Sequence, residues 1–160
     1  MAVGISSALI DGRASGAMTQ SPEYIILEPR EGRPAFELSE IRAYLATWPQ
    51  CVQDPVDDHS ILVVDGDGAR AAVVRQRRER PEEPFTGGLV RLGSDRLELG
   101  LAWANRRELP VLRDVAQWLV DHLSPRIMSE VAGDDWTDRC GGRVEPMFPE
   151  FLRAERSAKR

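Results

Sequence analysis

The chain has 160 residues, 42% hydrophobic and 29% charged, which suffices for one globular core but not for two. A formal net charge of -5 counts against a whole-surface nucleic-acid binder, which carries a basic balance or a basic face. Two cysteines, Cys51 and Cys140, cannot build a disulfide framework, and their wide separation is not a metal-binding spacing, so a reducing, cytoplasmic setting is expected.

Residues 1–22 are rich in Gly, Ala and Ser without helical or alternating period, and read as a flexible N-terminal arm. The apolar stretch in this arm has no positive charge before it and is broken by Asp11, so it does not read as a secretion signal. No run approaches the roughly 18 apolar residues of a membrane span. Residues 23–152 read as a single domain and 153–160 as a solvated C-terminal tail.

The domain opens with YIILE, Tyr24 to Glu28, a short buried strand stopped by the turn PREGRP. In FELSEIRAYLATWP, residues Leu38, Ile41, Leu45 and Trp48 recur at helical spacing, and Pro49 ends the element. CVQDPVDDH reads as a polar loop. Two apolar runs follow, Ile61 to Val64 and Ala71 to Val74, with DGDG between them, and both read as strands. RQRRERPEEP reads as a charged loop. GGLVRLGSDRLELGLAWA reads as a hairpin, with Val90 and Leu92 alternating on one arm and Leu97, Leu99 and Leu101 on the other. In ELPVLRDVAQWLVDHLSP an apolar stripe through Val111, Leu112, Val115, Trp118, Leu119, His122 and Leu123 marks a long helix. RIMSEVA reads as a shorter helix, and the tail from Gly133 as an irregular segment tucked on by Trp136, Phe148 and Phe151. Short links between strands demand antiparallel neighbours. The expected class is α+β, a mainly antiparallel sheet of about five strands with two principal helices packed on one face.

VVDGDG, Val63 to Gly68, resembles the signature of haloacid-dehalogenase-like phosphatases, an apolar strand followed by Asp-x-Asp-Gly. The resemblance implies magnesium-dependent phosphate hydrolysis with Asp65 as nucleophile and Asp67 as general acid/base. GDDWTD, Gly133 to Asp138, then resembles the later acidic motif that completes such a metal site. The surrounding pattern reads differently. AAVVRQ resumes an apolar run where that family has a loop and helix, and Ile127, Met128 and Val131 recur at helical spacing where the later motif follows a strand. No lysine lies between the two motifs. On this reading DGDG is a hairpin bend in which Gly66 and Gly68 supply positive φ angles. A calcium loop fails because Ala69 and Arg70 stand where an oxygen ligand and a glycine belong.

Arg75, Arg77, Arg78 and Arg80 could grip phosphates, but Glu79, Glu82 and Glu83 offset them and no aromatic residue is interleaved for base stacking. His59 reads as a loop residue and His122 as a hydrogen-bonded residue at the core boundary. Spacing alone pairs neither with Cys51 or Cys140 as a nucleophile. Trp48, Trp103 and Trp118 fall on inferred apolar faces. Trp136 differs, because Asp134, Asp135 and Asp138 flank it, and a ring among carboxylates is a candidate anchor for a basic partner.

These features point to binding rather than catalysis, with no catalytic residue, metal or cofactor assigned. The leading expectation is an immunity-type inhibitor, monomeric or homodimeric, that neutralises a bacterial toxin with a basic surface. Its docking residues are Asp134, Asp135, Trp136 and Asp138, joined by Asp54, Asp57 and Asp58. The alternatives are a chaperone or adaptor for a secreted or assembly protein, and a magnesium-dependent phosphatase using Asp65 and Asp67.

Overall fold

Ile25 and Leu27 alternate onto one face of YIILE and are fully buried, which fixes this strand, β1 (Tyr24–Glu28), as an inner strand of the sheet. The computed structural model describes residues 24–64, 69–83, 85, 87–101, 104, 108–130 and 134–148. The arm over 1–22, DGDG, Trp103, Phe151 and the tail over 153–160 lie outside the described residues.

The other strands are β2 (Cys51–Gln53), β3 (Ser60–Val63), β4 (Gly88–Gly93), β5 (Arg96–Gly100) and β6 (Arg126–Ser129). They form one sheet of 6 strands in the order β2-β3-β4-β5-β1-β6, with every neighbouring pair antiparallel. The protein is therefore an α+β fold built on an antiparallel sheet. Its register lines up apolar side chains across strands: Val90 faces Leu99 and then Ile25, and Leu92 continues through Leu97 and Leu27 to Ile127.

Two helices cover these rows. From α1 (Leu38–Leu45), Ile41 and Leu45 enter the core; from α3 (Glu108–Leu123), so do Leu112, Val115, Ala116 and Leu119. The long helix ends at Ser124, whose φ of 46° breaks the helical path before Pro125. Its carbonyl accepts a 2.8 Å hydrogen bond from Arg30 Nε. Met147 and Phe148, 1% and 0% exposed, close the same core from the C-terminal side.

Three local expectations are corrected. The polar loop CVQDPVDDH contains the edge strand β2, whose Cys51 and Val52 are buried. Residues 71–74 are not a strand, and RQRRER is not a loop: both belong to α2 (Ala69–Glu79). Ala, Arg and Gln are good helix formers, and an apolar run as short as AAVV does not separate strand from helix. RIMSEVA does not form a helix, because Arg126–Ser129 is β6. There Ile127 and Ser129 point to the core face and Met128 to the other, a period of two that the sequence also permits. The irregular tail carries a single helical turn, α4 (Thr137–Cys140), and a 3-10 turn (Glu145–Met147).

The second face of the sheet buries Ile26, Val52, Leu62 and Met128, which lie outside the main core cluster. α2 stands beside β2 on this side, where Val52 meets Ala71 and Val74 across a groove.

The start of β4 sits close under α3. The Gly88 amide donates to the buried Glu108 carboxylate at 3.1 Å, and a Cβ added to Gly88 meets Val63 Cβ at 2.8 Å and Leu112 Cδ1 at 3.1 Å. Gly88→Ala is expected to destabilise the protein by about 1–3 kcal/mol through overpacking, read as a lower urea midpoint. An unchanged midpoint contradicts this packing.

Candidate functional site

The acidic segment singled out in the sequence lies along the free side of β6. The Ser129 amide donates to the Asp134 carbonyl at 3.0 Å, and the Trp136 amide to the Ile127 carbonyl at 2.8 Å. Asp135 forms a bridge opposite Met128. At the start of α4, Asp135 Oδ1 accepts from the Thr137 hydroxyl at 2.6 Å and the Thr137 amide at 2.9 Å. These bonds, the hydroxyl first, hold the exposed Asp135 carboxyl below its ordinary value, and Arg126 at 3.4 Å adds to the effect.

Trp136 Nε1 donates to Asp134 Oδ2 at 2.8 Å. Its half-buried ring packs against the core, and the Arg139 guanidinium lies 4.2 Å from the ring centre. Asp134 is thus occupied by the ring and Asp135 by Thr137 and Arg126, while Asp135 and Asp138, before and after Trp136 in sequence, are both exposed.

The other three aspartates are on the β2–β3 connection and behave differently. Asp54 is 3% exposed. It pairs with Arg77 of α2 at 3.1 Å and accepts the Val56 amide at 2.9 Å. Its carboxylate is turned inward, so Asp54 does not belong to a docking surface. Asp57 folds back on its own loop, accepting from the His59 amide at 2.9 Å and the Ser60 hydroxyl at 2.8 Å. These two bonds, the amide first, lower its pKa. Asp58 is exposed, and its carbonyl accepts from Arg42 at 2.6 Å.

The two groups do not form one face. β2 and β6 are opposite edges of the sheet, five strand spacings or about 24 Å apart.

DGDG itself lies outside the described residues, but its flanks bear on the phosphatase resemblance. It connects β3 to α2, so a helix does follow the apolar strand, and the later motif follows a strand, β6. β3 is nevertheless antiparallel to both its neighbours, where the resemblance calls for a parallel strand. β3 and β6 also stand four spacings apart in the sheet, about 19 Å. Among the described residues there is no group of three or more His, Cys, Asp and Glu side chains placed to hold a metal.

The thiols are not poised for nucleophilic chemistry. Cys51 and Cys140 are each 5% exposed, and burial pushes Cys51 up to about 12 and Cys140 to about 11. His122 is at the surface, with Nε2 3.1 Å from Glu40 Oε2. Its ring stacks on Trp118 at 4.5 Å, and Trp118 stacks on Tyr44 at 3.8 Å. This ladder joins α3 to α1. Trp118 is visible on the apolar stripe of its helix, but that the two helices are neighbours is not visible in sequence.

A second feature that sequence reading missed is the outer side of α2. Arg70, Ala71, Val74, Arg75 and Arg78 line a cleft of about 620 Å³ with Val52 and Glu79. The signal was present as positions 71, 74, 75 and 78, a helical i, i+3, i+4, i+7 pattern, hidden by reading AAVV as a strand.

No protein-family model matches the chain, and no curated protein or solved structure is similar to it. Among the described residues no helix is long and apolar enough to cross a membrane.

Two outcomes follow from this geometry. A thiol-reactive dye at neutral pH is expected to label Cys51 and Cys140 only on unfolding, and rapid stoichiometric labelling of the native protein contradicts their burial. Asp57 has a folded pKa below its unfolded one. Its contribution is therefore complete above the unfolded value near 4 and is lost as pH falls through the depressed folded value. Asp57→Asn should flatten the acid limb of stability against pH, measured by denaturant unfolding from pH 6 downward; a limb identical to that of the parent contradicts the loop bonds.

Proposed function

We propose that this is a protein-binding domain, most concretely an immunity-type inhibitor that acts in the bacterial cytoplasm by covering the basic active site of a toxin. The observation that carries the reading is the Asp135, Trp136 and Asp138 trio. The β6 edge pairing and α4 hold this segment in a fixed shape, so two exposed carboxylates, before and after a half-buried indole in sequence, have little left to order on binding. An aromatic anchor supplies desolvation energy, and the acids steer a cationic surface toward it.

Of the residues expected to dock, Asp135, Trp136 and Asp138 remain the working site. Asp134 positions the ring, Asp58 offers a separate acidic point at the far edge, and Asp57 and Asp54 hold their own loop together. Arg126 and Arg139 beside the trio set the charge balance, so affinity comes from the ring as well as from the acids.

The test is capture from extract of the native host, with the parent and the Asp135→Lys/Asp138→Lys variant compared at low and moderate salt. The reading predicts one stoichiometric partner with a basic surface, released by salt and absent with the variant. Equal capture by both proteins overturns the assignment of this surface.

A further inference from the structure

We propose that the groove between α2 and the edge strand β2 is a second docking site, whose occupant is an acidic amphipathic segment of a protein partner. The proposal rests on α2 and β2 alone and is independent of the Asp135 surface.

The groove combines two chemistries that a solvated helix does not need together. Its floor is apolar, made by Val52 of β2 with Ala71 and Val74 of α2. Its rim carries Arg70, Arg75 and Arg78, all exposed, with Glu79 at the helix end. The arginines of this region divide sharply. Arg77 pairs with Asp54 and Arg80 with Glu83. Among the described residues Arg70 donates to the Pro49 carbonyl at 2.8 Å, and no carboxylate pairs with Arg70, Arg75 or Arg78. Three guanidinium groups that pair with no carboxylate among the described residues therefore surround apolar side chains that face an open cleft of about 620 Å³.

Charge complementarity selects the occupant. Carboxylates at neighbouring positions of a peptide match Arg75 and Arg78, which stand one helical turn apart, through charge-assisted and bidentate hydrogen bonds. Leucine-like or phenylalanine-like side chains between those carboxylates cover Val52 and Val74, the arrangement of an amphipathic segment laid in a groove. Nucleic acid fits less well, since among the described residues the lining has no aromatic ring on which a base can stack. The chain as a whole carries -5, so the attraction is local and falls with added salt.

The experiment is selection of random linear peptides displayed on phage against the intact folded protein, followed by fluorescence anisotropy with the enriched peptides. The proposal expects enrichment of peptides mixing Asp or Glu with Leu or Phe. Affinity should fall at least about tenfold in Arg75→Glu/Arg78→Glu and stay unchanged in Asp135→Lys/Asp138→Lys. Both arginines are exposed, so circular dichroism of the reversed protein should match the parent. The proposal is overturned if no peptide is enriched, if enriched peptides lack acidic residues, or if arginine reversal leaves their affinity unchanged. It is equally overturned if the same arginines bind a single-stranded oligonucleotide or anionic vesicles more tightly than any peptide, or mediate self-association instead.

Discussion

The ion pair between Asp54 and Arg77 ties together parts of the chain that lie 23 residues apart. Asp54 closes β2, accepts the Val56 amide and takes two nitrogens of the Arg77 guanidinium, at 3.1 and 3.3 Å. Arg77 also donates to the Glu83 carbonyl at 2.7 Å. One buried carboxylate thus fixes the β2–β3 hairpin, α2 and the turn that follows it. Desolvating two charges offsets much of their attraction, but removing one partner strands the other in a site that is 3% exposed on the acid side and 12% on the basic side. The pair therefore specifies where α2 sits more than it adds to stability. With Arg77 turned inward, Arg75 and Arg78 point away from the ion pair and, with Arg70 two turns before Arg77, rim the groove.

The sheet sets the spacing of everything else. Because β1 enters between β5 and β6, the first described strand is flanked by elements from the middle and the later part of the chain. The same order places the Trp136 segment beside one edge and α2 beside the other. A partner engaging the Asp135 and Asp138 carboxylates need not touch the arginines of α2, and the reverse also holds.

Elements with a full amphipathic stripe or a clean alternation were legible in the sequence: β1, the β4–β5 hairpin, α1 and α3 all follow from spacing, because burial on one face dictates the period. Two short segments were assigned the wrong kind of element. AAVV in α2 and RIMS in β6 each hold four residues, too few for one period to exclude the other, and the outcome was set by tertiary partners: Asp54 for α2 and β1 for β6. The site shows the same division. Trp136 among aspartates was legible from composition, whereas the use of Asp134 as a hydrogen-bond acceptor and the burial of Asp54 were not. Asp54 could be recognised as internal only by first recognising α2 as a helix, since its partner lies 23 residues further on.

Native-state hydrogen exchange of the α2 amides, in the parent and in Arg77→Met, tests most directly the claim that this ion pair positions the helix. The account predicts slowed exchange across the interior of α2 in the parent, and a selective loss of that protection in the variant, with the amides of β1, β4 and β5 unaffected. Equal protection of α2 in both proteins, or coil-like exchange of α2 in the parent, contradicts it and removes the basis for the groove.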